Sequence, residues 1–246
     1  MSAPPKKRPS RKERRLKREN GVGVAEKLNF TLLEIQPLTE NQKLTFEAYR
    51  KGKHLLLAGS AGTGKSFLSI YLAMYDVLKS EKYKKIIVIR SVVPTRDVGF
   101  LPGTNKEKSR VYEAPYYSIF SELFSRGDAY DYLKSNGTVE FMTTSFVRGI
   151  TINNAIIVVD EAQSMTWHEI SSVFTRIGDN CRVIFSGDTK QNDLHSEHDS
   201  RGSGFGNFMK VIAKMPEFKT ISFTSADIVR SGLVKSFIIT CENLGY

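Results

Sequence analysis

Gly59, Gly64, Lys65 and Ser66 stand at the spacing G-x-x-x-x-G-K-[ST] within GSAGTGKS, and these residue types at these positions are suited to holding a phosphate chain. Gly62 adds a third position free to take positive φ, so consecutive backbone N–H groups can converge on an anion. Lys65 would reach the β and γ phosphates as a point charge, and Ser66 would ligate Mg²⁺. Ser60, Ala61, Thr63 and Phe67 complete the loop and the first turn of a helix whose positive dipole end faces the same anion. An apolar run, LLLA, precedes the loop and a helical pattern follows it. Four matched positions in that context separate the motif from an ordinary glycine-rich turn.

Two later segments supply the groups that a triphosphate site needs beside its cradle. AIIVVDEAQ ends an apolar run on Asp160 and Glu161. A carboxylate at the first position can hold a metal ion through its water shell, and the second is poised to orient a water molecule. RVIFSGDTKQNDL again runs from an apolar stretch into a polar turn, ending in Asp188 and Gln191, whose neutral amide could sense a terminal phosphate or the attacking water. Ser-Gly-Asp alone is common turn chemistry, so this signal draws its weight from following the Asp-Glu run. Upstream, Gln42 in PLTENQK carries an amide able to donate to and accept from an adenine edge, while Thr39 is placed to cap the helix that follows.

The elements that must position these groups are apolar runs at His54–Ala58, Ile86–Ile89, Val139–Met142, Ala155–Val159, Arg182–Phe185 and Thr220–Phe223. Helical patterns cover Glu40–Arg50, Ser66–Lys79, Tyr116–Phe124, Met165–Ile177 and Gly206–Lys214. Near-continuous apolar runs such as IIVV belong to strands buried on both faces, so the chain is expected to form a mostly parallel sheet flanked by helices. In that architecture the loops at the carboxyl ends of the strands build the ligand crevice. Residues 91–138 are expected to contain a long functional loop. Its Arg96, Lys106, Lys108 and Arg110, together with Tyr112, Tyr116 and Tyr117, would suit a nucleic-acid groove, unless the tyrosines pack in an amphipathic helix.

Composition bounds the rest. At 246 residues with 40% hydrophobic content the chain can build a substantial core. No apolar run is long enough to span a membrane, and a cytoplasmic protein without secretory signal is expected. Cys181 and Cys241 lie in no metal-ligand spacing. Of the net charge of +10, residues 1–20 carry +7, with three prolines and few apolar side chains. Residues 1–24 are therefore expected to form a disordered basic tail before a folded domain at 25–246. Either a polyanion partner, nucleic acid foremost, or a solubilising or targeting role would explain that tail. His195, Glu197, His198 and Asp199 lie in a polar, turn-rich run without a helical His pair, which argues against a metal site. The string Gly202, Gly204, Gly206 follows no strand and reads as a loop.

Taken together, PLTENQ (37–42), GSAGTGKS (59–66), IRSVVPTRDVGFLPGT (89–104), FVRGITINNAIIVVDEAQ (146–163), SGDTKQNDL (186–194) and FTSADIVRSGLV (223–234) resemble the PhoH family, and the short chain resembles its phage-type members. The resemblance implies a single RecA-like P-loop NTPase domain, related to the first motor core of superfamily 1 helicases. It implies ATP phosphates at Gly62, Thr63, Gly64, Lys65 and Ser66, Mg²⁺ near Ser66 and Asp160, Glu161 as catalytic carboxylate and Gln191 as the coupling amide. Arg90 would contact nucleotide or nucleic acid, and Arg230 is the candidate arginine finger. Ser91 and KQND depart from the family pattern of a proline and TQID. One core without a second implies a homo-oligomer, plausibly a hexameric ring, in which Arg230 crosses an interface. The activity so implied is a Mg²⁺-dependent ATPase acting on single-stranded nucleic acid, RNA favoured over DNA, as a helicase or translocase. An ATP-dependent binding switch with little turnover is the alternative, and a small-acceptor kinase a weaker one.

Overall fold

The computed structural model describes residues 31–91, 105–189 and 204–244. The expectations placed on the basic tail, on residues 92–104, on Gln191 and on His195–Asp199 fall outside them. Six strands form one sheet: β1 (His54–Gly59), β2 (Lys85–Arg90), β3 (Val139–Thr143), β4 (Ala155–Asp160), β5 (Arg182–Gly187) and β6 (Phe218–Phe223). Their order is β3-β2-β4-β5-β1-β6, and every pairing is parallel. All carboxyl ends therefore share one edge. β5 lies between β1 and β4, so the turn that follows it is set between the phosphate loop and the Asp-Glu pair.

The strands read as unbroken apolar runs because both faces are covered. In β4, Ile156 and Val158 join a core under α1 (Glu40–Arg50), α2 (Lys65–Lys79), α3 (Asn105–Phe124) and α4 (Ala129–Ser135). Ala155, Ile157 and Val159 point the other way, into a core with α5 (Trp167–Phe174) and α6 (Phe205–Ile212). Thr39 caps α1 by accepting from Gln42 N–H, as the sequence suggests. At α5, Thr166 and Glu169 exchange bonds in a capping box.

Four elements depart from the sequence expectation. α3 begins at Asn105, well before Tyr116, and keeps Pro115 inside it. With α4 it fills most of the span expected as a loop. Tyr116 is fully buried and so cannot stack on a nucleic-acid base, and Tyr117 donates its hydroxyl to Asp131. β6 extends back to Phe218 because it is an edge strand, where exposed Lys219 and Thr220 obscure the apolar pattern. A last helix, α7 (Gly232–Leu244), has no buried residue, and Leu233, Phe237 and Leu244 are exposed on it.

Candidate nucleotide site

At the carboxyl edge a cavity of about 980 Å³ is lined by Ala61 through Leu68 and by Gln42, Arg90, Asp160, Glu161, Asp188 and Arg230. Gly64, at φ +82°, turns the chain into α2. Gly59 serves a different end: at φ +129° a Cβ there would lie 1.9 Å from the carbonyl oxygen of Phe223, so only glycine lets the loop leave β1 against β6. Gly59 and Ser60 do not line the cavity. Ser60 is turned away, its N–H bonded to Phe223 O and its hydroxyl donating to Glu242 of α7 at 2.6 Å. The expected cradle thus divides into a packing half and a ligand-facing half.

Lys65 donates to the carbonyls of Gly59 (2.8 Å) and Ser60 (2.7 Å). Burial lowers its pKa, opposed by Asp188, Glu161 and Asp160. Ser66 Oγ donates to Asp160 Oδ1 at 2.7 Å, which brings together the two residues assigned to one metal ion. Ser186 Oγ also donates to Oδ1 (2.7 Å), and Tyr116 OH donates to Oδ2 (2.9 Å). Neither Ser186 nor Tyr116 was expected at the site. Ser186 sits in the SGD run and was legible there. Tyr116 comes from α3 across the sheet, and no spacing in the sequence points to that meeting.

Glu161 holds a left-handed backbone at φ +53°, uncommon for a non-glycine residue. Its carboxylate accepts from Gln163 Nε2 at 2.6 Å, and Gln163 Oε1 accepts from Asp188 N–H at 2.9 Å. Burial, and then the neighbouring Asp160, push the Glu161 carboxyl up against the opposing pull of Gln163, Arg90 and Lys65. Gln42 is buried, with Oε1 accepting from Leu38 N–H (2.8 Å) and Nε2 donating to Thr63 O (3.3 Å). It ties α1 to the phosphate loop, and its amide groups are engaged by protein. Arg90 ends β2, in register with Asp160.

Arg230 lies beside its own chain's loop. Its Cγ would be 3.1 Å from a Cβ at Gly62, and Val229 N–H donates to Gly62 O. The segment leading to it is fixed by buried Asp227, which accepts from Thr224 N–H, Thr224 Oγ1 and Asn41 Nδ2 of α1. Asp227 and Asn41 were not expected to take part.

A parallel sheet with β5 inserted between the phosphate-loop strand and the Asp-Glu strand, and this site at its carboxyl edge, define the class of P-loop NTPase folds. A family model described as PhoH-like protein matches residues 34–242, and the chain belongs to that family. A PhoH-like protein of Mycobacterium tuberculosis is 32% identical over 205 residues, covering 83% of this chain and 57% of the relative. Protein PhoH2 of Bacillus subtilis is 28% identical over 232 residues, covering 88% and 52%, and Protein PhoH of Escherichia coli is 33% identical over 188 residues, covering 74% and 51%. The chain therefore spans little more than half the length of these curated relatives. Among solved structures, the large terminase of a thermophilic bacteriophage aligns with TM-score 0.48 and 14% identity, covering 82% of this chain and 50% of that one. The UvsW helicase of bacteriophage T4 aligns with TM-score 0.44 and 20% identity, covering 81% and 64%.

Proposed function

We propose that this chain binds ATP with Mg²⁺ and hydrolyses it, with single-stranded nucleic acid, RNA in preference to DNA, as substrate or regulator. The observation that carries the reading is the 2.7 Å bond between Ser66 Oγ and Asp160 Oδ1, which joins the metal-side groups of two motifs 94 residues apart. Hydroxyl and carboxylate oxygens are the donors that Mg²⁺ prefers, so the residues present fit that ion. When bound, Mg²⁺ would supply charge compensation to the phosphate oxygens. Lys65, freed from the Gly59 and Ser60 carbonyls, would bind the outer phosphates. Glu161, its carboxyl made more basic by burial and by Asp160, would orient a water and take its proton. Arg230 would neutralise charge developing on the transferred group, from within the same chain. Gln191 is assigned the coupling of hydrolysis to nucleic acid.

The cytoplasm is the proposed location; among the described residues no helix is long and apolar enough to cross a membrane. A homo-oligomer, hexameric in the proposed ring form, is supported by the exposed Leu233, Phe237 and Leu244 of α7. That Arg230 lines its own chain's cavity supports a role for it within the chain.

Hydrolysis by the wild type, Lys65→Ala and Glu161→Gln, with and without single-stranded RNA or DNA, tests the reading. Lys65→Ala should lose nucleotide binding. Glu161→Gln should bind nucleotide, lose turnover by about 100-fold or more, and melt no earlier than wild type, since a neutral amide escapes the burial that opposes the carboxylate. Nucleotide binding without wild-type turnover under any condition would leave only the binding switch.

A further inference from the structure

A second concavity, of about 310 Å³, lies along α5 and shares no lining residue with the nucleotide cavity. It is lined by Arg148, His168, Ser171, Ser172, Thr175 and Arg176, without a carboxylate. His168, Ser171 and Ser172, and Thr175 and Arg176 recur at helical spacing, so one flank of α5 and its C-terminal continuation carries them all. Arg148 reaches the same place from a separate segment, anchored by fully buried Val147 and turned by Gly149 at φ +83°. Among the described residues neither arginine forms an ion pair. Arg176 Nε is buried without a hydrogen-bond partner. Desolvating a guanidinium N–H with no acceptor is unfavourable, and a turn of the Arg176 side chain toward a ligand oxygen in the concavity would remove that penalty.

We infer that this concavity is a phosphodiester-binding site, and that Arg148, Arg176 and His168 hold the backbone of a single-stranded nucleic acid against α5. Arginine forks match phosphate oxygens in geometry as well as charge, and hydroxyls are common donors to the same oxygens. The lining holds no carboxylate or carboxamide to pair with a base edge, so the contact is made to the backbone and is largely blind to sequence. The strand would run along the face of the sheet opposite α1 to α4. α5 also starts six residues after Glu161, so the bound strand and the nucleotide site would be joined by one short segment. The inference rests on the nucleic-acid half of the proposed function and not on turnover.

Trp167, the one tryptophan of the chain, opens α5 beside His168 and is partly exposed, which gives a local reporter. Binding of a labelled single-stranded oligonucleotide to the full chain would be followed by anisotropy and by Trp167 emission over a range of salt. Binding of a fluorescent ATP analogue would be measured in parallel. Arg148→Gln lies on an exposed turn and should fold normally. It should weaken the oligonucleotide about tenfold, lower the salt slope by about 0.7, reduce the Trp167 response and leave the nucleotide analogue unaffected. Arg176→Lys, which keeps the charge and loses the fork, should weaken binding by a smaller factor. Wild-type binding that neither variant weakens would overturn the site, as would a wild type that binds nucleotide and no oligonucleotide. Oligonucleotide binding through Arg148 without any hydrolysis would sustain the site and remove the catalytic half of the function.

Discussion

Asp160 is the residue around which the site closes, because three hydroxyls from three elements share its two oxygens. Two of the donors, Ser66 and Ser186, sit in motifs that the sequence displays. The third, Tyr116, is set by α3 packing over the sheet, a tertiary fact with no local signature. Tyr116→Phe keeps the buried ring and withdraws one donor, exposing Asp160 Oδ2 to a loss of about 1–3 kcal/mol. The Mg²⁺ concentration for half-maximal hydrolysis should rise about tenfold, with nucleotide affinity measured without Mg²⁺ unchanged. An unaltered Mg²⁺ requirement would show that the hydroxyl does not position the carboxylate. Gln42 lines the cavity, but its bonds to Leu38 N–H and Thr63 O, which tie α1 to the phosphate loop, have no signature in the sequence.

At the scale of elements, the strands were legible where burial on both faces makes them apolar throughout, as in β4 and β2. The edge strand β6 and the exposed helix α7 were blurred or missed because burial no longer sorts their residues. Pro115 hid the first half of α3, since proline ordinarily marks a helix boundary. Two capping carboxylates hold elements to the site. Burial raises the carboxyl of Asp227, but the Thr224 N–H and the Asn41, Thr39 and Thr224 side chains outweigh it and bring the pKa below the usual value. Glu169 is likewise lowered, burial being outweighed by Thr144, Thr166 and Ser91. A carboxylate with a depressed folded pKa stabilises the fold fully above the unfolded value, about 3.9 for Asp and 4.3 for Glu. That contribution is lost as pH falls through the folded value. Urea midpoints should accordingly drop below about pH 4, and Asp227→Asn should flatten this acid limb. An acid limb unchanged in that variant would show that Asp227 does not contribute.

The whole molecule places Arg230 on its own nucleotide cavity, which bears on how subunits could cooperate. Mixing Glu161→Gln with Arg230→Ala should restore no hydrolysis, because neither chain then carries a complete site. Recovery of activity on mixing would show an arginine working between chains and reinstate the interface first expected from a lone core. The order of strands carries a further consequence, for how the protein is made. Among the described residues β1 is the first strand in sequence and is flanked by the last two, β5 and β6, and Gly59 is fitted to the backbone of Phe223. The phosphate loop, early in sequence, can therefore take its final form only once the distant β5 and β6 have paired with β1, an order of assembly that long-range parallel pairing makes slow.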